Sequence, residues 1–402
     1  MSSGHRVLER IVATTDVHSS FDRSGPMLAH LHAARERALI VDCGDFFEGS
    51  GYYLLGDGHL ERQALVLMYD IIAPGNHGWR HHFTPDLRAL TVCANATDAA
   101  TGELLFRPVH VVRIGGRRVG VTAVLGEQAF NAIPSTERAG HRVVSPGPAL
   151  LELRHRHRGM VHDWIVLSHS GFDHDLALAA ACPFISVIFS GHCHSERYGP
   201  VRVGDTLVVK GPELGAGYAE AVPKARRWTA HTRRFADTMP VIEPMAGLQS
   251  QIEATREHLA RPIGPLAEPF QDTLPDRREI LTLVARRLHA RLKPEAVVLN
   301  ETCLRSAPLG AVLRQGDLLA IEPFANQLVH TEMPADHDLD ALTAQAGPLI
   351  VVPGQSGRGQ LRQALTTEYL ADNYLGGRWS GPRLPLAHAV QDVLIEQKGD
   401  KP

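Results

Sequence analysis

The sequence lacks three features that each define a large class of proteins. No stretch approaches the roughly 18 consecutive apolar residues of a membrane span, so no membrane partner is expected. The net charge is −3, so no basic surface over the whole chain points to nucleic acid or an anionic membrane. The five cysteines are odd in number and scattered, which argues against a disulfide framework. What remains has the hydrophobic and charged content of an ordinary globular protein.

The first ten residues also lack the apolar segment of an export signal. Together with cysteine usage typical of a reducing compartment, this predicts a cytoplasmic protein. A chain of 402 residues is long for a single core, so two domains are expected. The oligomeric state has no signature in the sequence.

What the sequence does have is a set of short apolar runs that each end in metal-ligand residue types. The carboxyl ends of strands in an α/β sheet are where ligand crevices form. In an extended D-x-H or H-x-H triplet, alternation would also aim both side chains to the same side. Each motif alone is explained by a polar loop, a turn or a surface histidine. Five together indicate a two-metal site. The residues concerned are Asp16, His18, Asp45, Asn76, His77, His169, His192 and His194.

Two positions in this set, and a cysteine between two others, raise separate questions. Asp45 has two carboxylate oxygens and could bridge two ions. His77 could face the substrate rather than a metal. Cys193, between two histidine ligands, is expected to turn away and pack, with a thiolate ligand as the lesser alternative. Ligands of Asp, Asn and His type suit Mn²⁺ first, with Fe, Zn²⁺ or Co²⁺ as alternatives.

These motifs resemble those of the calcineurin-like metallophosphoesterases, and in detail the 5'-nucleotidase branch. The resemblance covers roughly residues 10 to 225 in the motifs D-x-H, G-D, G-N-H, an isolated H and G-H-x-H. It implies an α/β/α sandwich with two divalent metal ions at one edge and Asp45 as the bridge. By resemblance, one ion would be held by Asp16, His18, Asp45 and His194. The other would be held by Asp45, Asn76, His169 and His192.

The same resemblance makes His77 the catalytic residue, which stabilises developing charge or protonates the leaving oxygen. Family members usually carry an acid three positions later that pairs with this histidine. Here that position is Arg80. A carboxylate partner raises the pKa of a histidine and a nearby arginine lowers it, so the protonation of His77 is left open.

The second half of the chain predicts a smaller α+β domain, which the resemblance to 5'-nucleotidases makes the substrate-binding domain. Residues 245–260 have a helical pattern, and several prolines follow it. The predicted organisation is therefore a dimetal domain at 1–244, a linker with a helix at 245–270, and a C-terminal domain at 271–402.

This second domain resembles the C-terminal domain of 5'-nucleotidases less closely. Asn300 and Arg305 match the ends of an N-G-G-G-I-R turn, without its glycines. Phe324 lies in a P-F-x-N match and Tyr369 in a T-x-x-F/Y-L-A match. By resemblance, Asn300 and Arg305 would contact the substrate, and Phe324 and Tyr369 would sandwich a base. Core packing of the two rings and a surface salt bridge of Arg305 are the alternatives. The family's ribose-binding G-G-D-G is absent.

These features predict a metal-dependent phosphatase of a nucleoside 5'-monophosphate or a modified nucleotide. A biosynthetic pathway for a modified nucleoside is the suggested setting. One alternative is an enzyme with the same dimetal site that hydrolyses a different bond. Examples are a phosphodiesterase, a nucleotide-sugar hydrolase and a sulfur-ester hydrolase. A non-catalytic binding protein is the other alternative.

Overall fold

The computed structural model describes residues 6–22, 24–225, 227–236, 243–334, 339–353 and 361–395. The chain divides into two compact units, Met1–Ala254 and Thr255–Pro402. The division falls inside one helix, α9, which lies in the predicted linker. Within the described residues, no helix is both long enough and apolar enough to cross a membrane.

The first unit is a mixed α/β structure with thirteen described strands. They are β1 (Arg10–Thr14), β2 (Ala38–Asp42), β3 (Ile71–Ile72), β4 (Ala96–Asp98), β5 (His110–Ile114), β6 (Arg117–Leu125), β7 (His141–Val143), β8 (Asp163–His169), β9 (Ile185–Ser190), β10 (Val201–Val203), β11 (Thr206–Lys210), β12 (Gly217–Lys224) and β13 (Arg227–Arg234). The α-helices that begin in this unit are α1 (Ser24–Ala34), α2 (Gly51–Gly56), α3 (His59–Met68), α4 (Pro85–Leu90), α5 (Glu127–Ala132), α6 (Ser135–Arg138), α7 (Pro146–Arg156), α8 (Phe172–Ala181) and α9 (Ala246–Leu259). Two 3₁₀ helices span Trp79–Phe83 and Glu243–Met245.

Two large sheets form the centre of this unit. Their strand orders are β13-β12-β1-β2-β3 and β10-β11-β9-β8-β6-β5. One apolar core contains side chains from both sheets, among them Leu39 and Val41 of β2 and Ile165 and Leu167 of β8, so the sheets pack face to face. Helices α7 and α8 cover the other face of the second sheet.

Parallel pairing determines where the functional residues lie. Strands β1, β2 and β3 are mutually parallel, as are β6, β8, β9 and β11. Strands β2 and β8 are buried along their whole length, as expected for apolar strands covered on both faces. Their carboxyl ends therefore bring the following polar residues to one edge of each sheet.

The second unit is smaller and has its own core. Its strands are β14 (Pro262–Pro265), β15 (Val297–Asn300), β16 (Val312–Arg314), β17 (Gln327–Glu332), β18 (Leu349–Val352), β19 (Gln363–Thr367) and β20 (Trp379–Pro385). Its α-helices are α10 (Arg277–Leu292), α11 (Gln315–Ile321), α12 (Leu339–Ala346), α13 (Glu368–Tyr374) and α14 (Leu386–Leu394), with 3₁₀ helices at Glu268–Phe270 and Glu301–Cys303. Five strands form the mixed sheet β18-β15-β19-β17-β20. The predicted fold class, an α/β domain followed by a smaller α+β domain, is confirmed.

Candidate metal centre

The loops after β1 and β2 run side by side and carry three of the predicted ligands. Asp16 N–H donates to Gly44 O at 3.0 Å, and His18 N–H donates to Asp45 O at 3.0 Å. The expectation of an extended D-x-H triplet is wrong. Asp16 and His18 both have left-handed backbone, with φ of 48° and 50°, and His192 in the H-x-H triplet has φ of 76°. Such conformations are costly for residues with a side chain, and they gather here around one site.

The first group of candidate ligands joins both sheets. It consists of Asp16, His18 and His194. His18 Nε2 lies 3.1 Å from His194 Nε2, and His194 Nε2 lies 3.6 Å from Asp16 Oδ1. Asp16 is fully buried, whereas the side chain of His194 is 51% exposed, so this group opens to solvent on one side.

The second group contains Asp45, His169 and His192, with Asn76 beside them. Asp45 Oδ2 lies 3.2 Å from His169 Nε2 and 3.8 Å from His18 Nε2, so one oxygen faces both groups. Asn76 Oδ1 lies 3.3 Å from His169 Nε2 and 3.0 Å from His192 Nδ1. The structure therefore brings all seven predicted ligands together, with Asp45 between the two groups.

The spacing of these atoms fits a pair of divalent metal ions. Ligand atoms that share one ion at about 2.0–2.2 Å lie roughly 3–3.5 Å from each other. Most of the separations above fall in this range. Carboxylate, amide and imidazole donors are suited to Mn²⁺, Fe, Zn²⁺ and Co²⁺.

The electrostatics of the site also favour a cation. Burial alone would raise the pKa of Asp45, but the charges and hydrogen bond of its histidine neighbours outweigh it and hold that pKa well below its usual value. Burial lowers the pKa of His169, yet Asp45 and Asp16 raise it to about 9. Burial lowers the pKa of His18 and His192 to about 4. Buried carboxylates thus retain their negative charge, and His18 and His192 keep lone pairs for a metal, whereas a metal at His169 would displace its proton.

Two glycines allow the loops to approach this closely. A Cβ on Gly75 would lie 2.0 Å from Asp45 Oδ1 and 2.4 Å from the backbone nitrogen of Asp45. A Cβ on Gly191 would lie 2.4 Å from Thr15 Oγ1. Only hydrogen fits at either position, so these glycines are required by packing around the ligands.

Lys210, at the end of β11, holds the loop that carries His194. Its side chain is fully buried, and Nζ donates to the carbonyl oxygens of Cys193 and Ser195, both at 2.6 Å. Glu213 pairs with the same ammonium group. The loop is therefore anchored on both sides of His194. Cys193 Sγ accepts the N–H of Phe172 at 3.2 Å and belongs to no metal-ligand group among the described residues.

His77 lies beside the ligands and has a carboxylate partner that the sequence did not reveal. Its Nδ1 lies 2.7 Å from Glu48 Oε2, and its backbone N–H donates to Asp45 Oδ1 at 2.8 Å. His77 also forms a potential ligand group with His18 and Asp45. Burial lowers the pKa of His77, but the hydrogen bond to Glu48 and the charges of Asp45 and Glu48 raise it above its usual value.

The sequence left open whether Arg80 lies close enough to His77 to lower its pKa. The side chain of Arg80 is instead paired with other groups. Its guanidinium contacts the Tyr53 hydroxyl at 3.2 Å and the Asp57 carboxylate, and Glu137 lies 3.9 Å away. Arg80 is thus paired with other groups, and Glu48 rather than position 80 supplies the carboxylate beside His77.

The four predicted substrate residues lie in the second unit. Asn300 is buried, and its Nδ2 donates to Thr302 Oγ1 at 2.6 Å. The Arg305 guanidinium lies 5.3 Å from the centre of the Phe324 ring, and it has no ion pair within the described ranges. Phe324 and Tyr369 are 48% and 49% exposed, which excludes plain core packing. Tyr369 pairs with Tyr374, whose hydroxyl oxygen lies 3.4 Å from its own.

Residues 9–196 match the calcineurin-like phosphoesterase family. Over this segment, which is somewhat less than half of its length, the chain is similar to that family. The matched segment contains every residue of the two ligand groups, together with Glu48 and His77.

Curated relatives share part of this chain. An apyrase from Tabanus yao is 28% identical over 171 residues, which cover 40% of this chain and 30% of the relative. A 5'-nucleotidase from Mus musculus is 27% identical over 174 residues, which cover 40% of this chain and 30% of the relative. The chain thus matches about a third of the length of these proteins.

Solved structures share the fold over nearly the whole chain. The 5'-nucleotidase precursor from Thermus thermophilus superposes with a TM-score of 0.69 at 18% identity, covering 96% of each chain. The sulfate thiohydrolase SoxB from the same species gives a TM-score of 0.71 at 17% identity, covering 98% of this chain and 95% of the other. At these identities the likeness establishes the fold alone and leaves the substrate undetermined.

Proposed function

We propose that this protein is a two-metal phosphatase that hydrolyses the phosphomonoester of a nucleoside 5'-monophosphate or a modified nucleotide. The observation that supports it most is the pair of ligand groups that meet at Asp45, with His77 at their edge. One ion would be held by Asp16, His18, Asp45 and His194, and the other by Asp45, Asn76, His169 and His192. Two such ions activate water and stabilise the charge of a phosphoryl group in an in-line displacement.

The chain's own residues would orient the substrate and move a proton. As the phosphorus–oxygen bond to the sugar breaks, its electron pair goes to the leaving oxygen, and protonated His77 gives that oxygen a proton from Nε2. Water adds its oxygen to phosphorus, and the proton that it loses restores the imidazolium. The raised pKa of His77 supports this role as a general acid.

The second unit would supply recognition of the nucleoside. The exposure of Phe324 and Tyr369 supports stacking of a base on their rings, since stacking needs an accessible ring face. Arg305 and Asn300 would make polar contacts to the substrate. Because the ribose-binding G-G-D-G is missing, a modified nucleotide or another phosphorylated small molecule would fit this domain. Mn²⁺ as the metal and a cytoplasmic location stay predictions.

Hydrolysis of a panel of substrates tests this proposal, with release of inorganic phosphate measured for the monoesters, of p-nitrophenolate for the diester and of sulfate for the thiosulfate ester. The panel contains nucleoside 5'-monophosphates, modified nucleotides, sugar phosphates, bis(p-nitrophenyl) phosphate and a thiosulfate ester, each with Mn²⁺ and with a chelator. We expect metal-dependent release from 5'-monophosphates. Preferential hydrolysis of the diester or of the thiosulfate ester would replace the proposal with the corresponding activity.

A further inference from the structure

We propose that Glu48 is the positioning residue for His77. Its carboxylate holds the imidazole by Nδ1 and so presents Nε2 to the leaving group of the substrate. The inference rests on the proposed phosphatase function and deepens it, because it assigns a role to a residue outside the two ligand groups. It also explains how this site works with Arg80 at the position expected for an acid.

Three contacts join the Asp45–Glu48 loop to the His77–Gly78 turn. Glu48 Oε2 lies 2.7 Å from His77 Nδ1, and Glu48 Oε1 accepts the N–H of Gly78 at 2.8 Å. The third is the bond from the His77 N–H to Asp45 Oδ1 at 2.8 Å. An ionised carboxylate only accepts hydrogen bonds, so Nδ1 carries a hydrogen and Nε2 is the nitrogen left for the substrate. Glu48 uses one carboxylate oxygen for the His77 ring and the other to accept the Gly78 N–H, as an ionised carboxylate does.

Packing fixes Glu48 in this position. The neighbouring Phe47 is fully buried, and its ring stacks on His81 with 4.5 Å between ring centres. A Cβ on Gly78 would lie 2.5 Å from Phe47 Cβ, so the glycine lies directly against this anchor. Glu48 itself has a left-handed backbone, with φ of 63°. The carboxylate is therefore part of a rigid turn and meets His77 in a defined orientation.

The ring that Glu48 holds faces the candidate metal ligands. The His77 and His18 rings lie edge to face, with 5.0 Å between their centres. A ring nitrogen of His77 lies within 4.8 Å of ligand atoms of both His18 and Asp45. A phosphoryl group bound at those ligands would thus have its leaving oxygen within reach of this imidazole.

Arg80 is occupied on the other side of the turn. Its side chain is half exposed and contacts Tyr53, Asp57 and Glu137. The negative charge next to His77 comes from position 48, and the positive charge at position 80 is neutralised by other acids. Glu48 therefore takes over the task that the resemblance assigns to an acid at position 80.

The test compares two leaving groups in Glu48→Gln, with Mn²⁺ present. An alkoxide needs a proton to leave, whereas p-nitrophenolate does not. We expect kcat for the best 5'-monophosphate to fall about 10–100-fold, the usual effect of losing an orienting partner. We expect kcat for p-nitrophenyl phosphate to fall less than about threefold, because its departure needs no general acid. KM should stay nearly constant for both substrates.

Glu137→Gln is the matched control. Glu137 accepts the backbone N–H of Arg80 at 3.2 Å, so it is an acid of the same neighbourhood without a contact to His77. Its kinetics should match those of the parent protein for both substrates. If Glu48→Gln slows both substrates equally, or slows neither, the positioning role is refuted while the phosphatase proposal stands. If the parent protein hydrolyses neither substrate, the proposed function itself fails.

A second measurement needs no activity. Long-range ¹H–¹⁵N spectra of the metal-free, histidine-labelled protein report which ring nitrogen carries hydrogen, and the His77 signals are identified by their loss in His77→Asn. At a pH where the ring is neutral, we expect the hydrogen of His77 to lie on Nδ1 in the parent protein and to be shared between both ring nitrogens in Glu48→Gln. An Nδ1 without hydrogen in the parent protein would overturn the inference.

Discussion

At the scale of single residues, Asp45 is the carboxylate on which both ligand groups depend. Its Oδ2 lies 3.2 Å from His169 Nε2 and 3.8 Å from His18 Nε2, while Oδ1 accepts the His77 N–H. Asp45→Asn keeps the shape and the acceptor and removes the charge. We expect kcat to fall roughly 10²–10³-fold, as when a preorganised charged group is removed from an active site.

The Asp45→Asn variant should bind metal more weakly and still fold like the parent protein. Titration with Mn²⁺, followed by electron paramagnetic resonance, should show weakened binding at both sites, while circular dichroism remains that of the parent protein. Near-normal turnover in Asp45→Asn would contradict the proposed bridge.

Asp175 is a buried acid outside the ligand groups, and it predicts a pH dependence of stability. Burial raises its pKa to about 7. Hydrogen bonds with Ser168 and Ser190 and the charge of His169 act in the opposite direction but are smaller. Between about pH 4 and 7 the unfolded chain has lost this proton and the folded protein still holds it, so the contribution to stability falls as pH rises. Asp175→Asn should therefore become more stable relative to the parent protein across this range, by up to about 4 kcal/mol.

Urea unfolding of the metal-free proteins at pH 4, 5.5, 7 and 8.5 measures this difference. The matched control is Asp173→Asn on the same helix, since the side chain of Asp173 is 85% exposed. The free-energy difference for the control should stay within about 0.5 kcal/mol at every pH. A difference for Asp175→Asn that does not vary with pH would show that this carboxyl ionises normally in the folded protein.

At the scale of elements, close contact between loops holds the ligands in place. Gly75 follows β3, and an added methyl group there would overlap Asp45 at both Oδ1 and the backbone nitrogen. Because backbone cannot move aside cheaply, we expect Gly75→Ala to lower the free energy of unfolding by about 1–3 kcal/mol. It should also weaken Mn²⁺ binding, since the shift displaces Asp45.

Gly147 provides the comparison for the same substitution. It lies in the first turn of α7, and a Cβ there would meet nothing within 4 Å. We expect Gly147→Ala to leave metal binding unchanged and to stabilise the protein by up to about 1 kcal/mol, because alanine restricts the unfolded chain. Equal effects at the two positions would show that the contact at Gly75 does not matter.

At the scale of the whole molecule, the sequence predicted the parts of the fold and site that local patterns encode. An apolar run followed by a polar ligand type is visible within ten residues, and Asp16, Asp45 and His169 were found in this way. Glu48 was not, because its contact with His77 joins positions 29 residues apart and depends on how two turns pack. The left-handed backbone at Asp16 and His18 was also missed, since alternation assumes an extended chain.

The distribution of the candidate ligands over the chain predicts where metal binding stabilises the protein. All seven lie between residues 16 and 194, within the first unit, and none lies in the second. A ligand that binds only the folded state adds RT ln(1 + [L]/Kd), which is about 2.7 kcal/mol at a hundredfold excess over Kd. Mn²⁺ should therefore slow hydrogen exchange most in the loops that follow β1, β2, β3, β8 and β9. Mass spectrometry of peptides from the parent protein and from Asp45→Asn, each with Mn²⁺ and with a chelator, measures this effect. Strands β15, β17 and β19 serve as the internal reference, and protection that arises there and not in these loops would place the metal elsewhere.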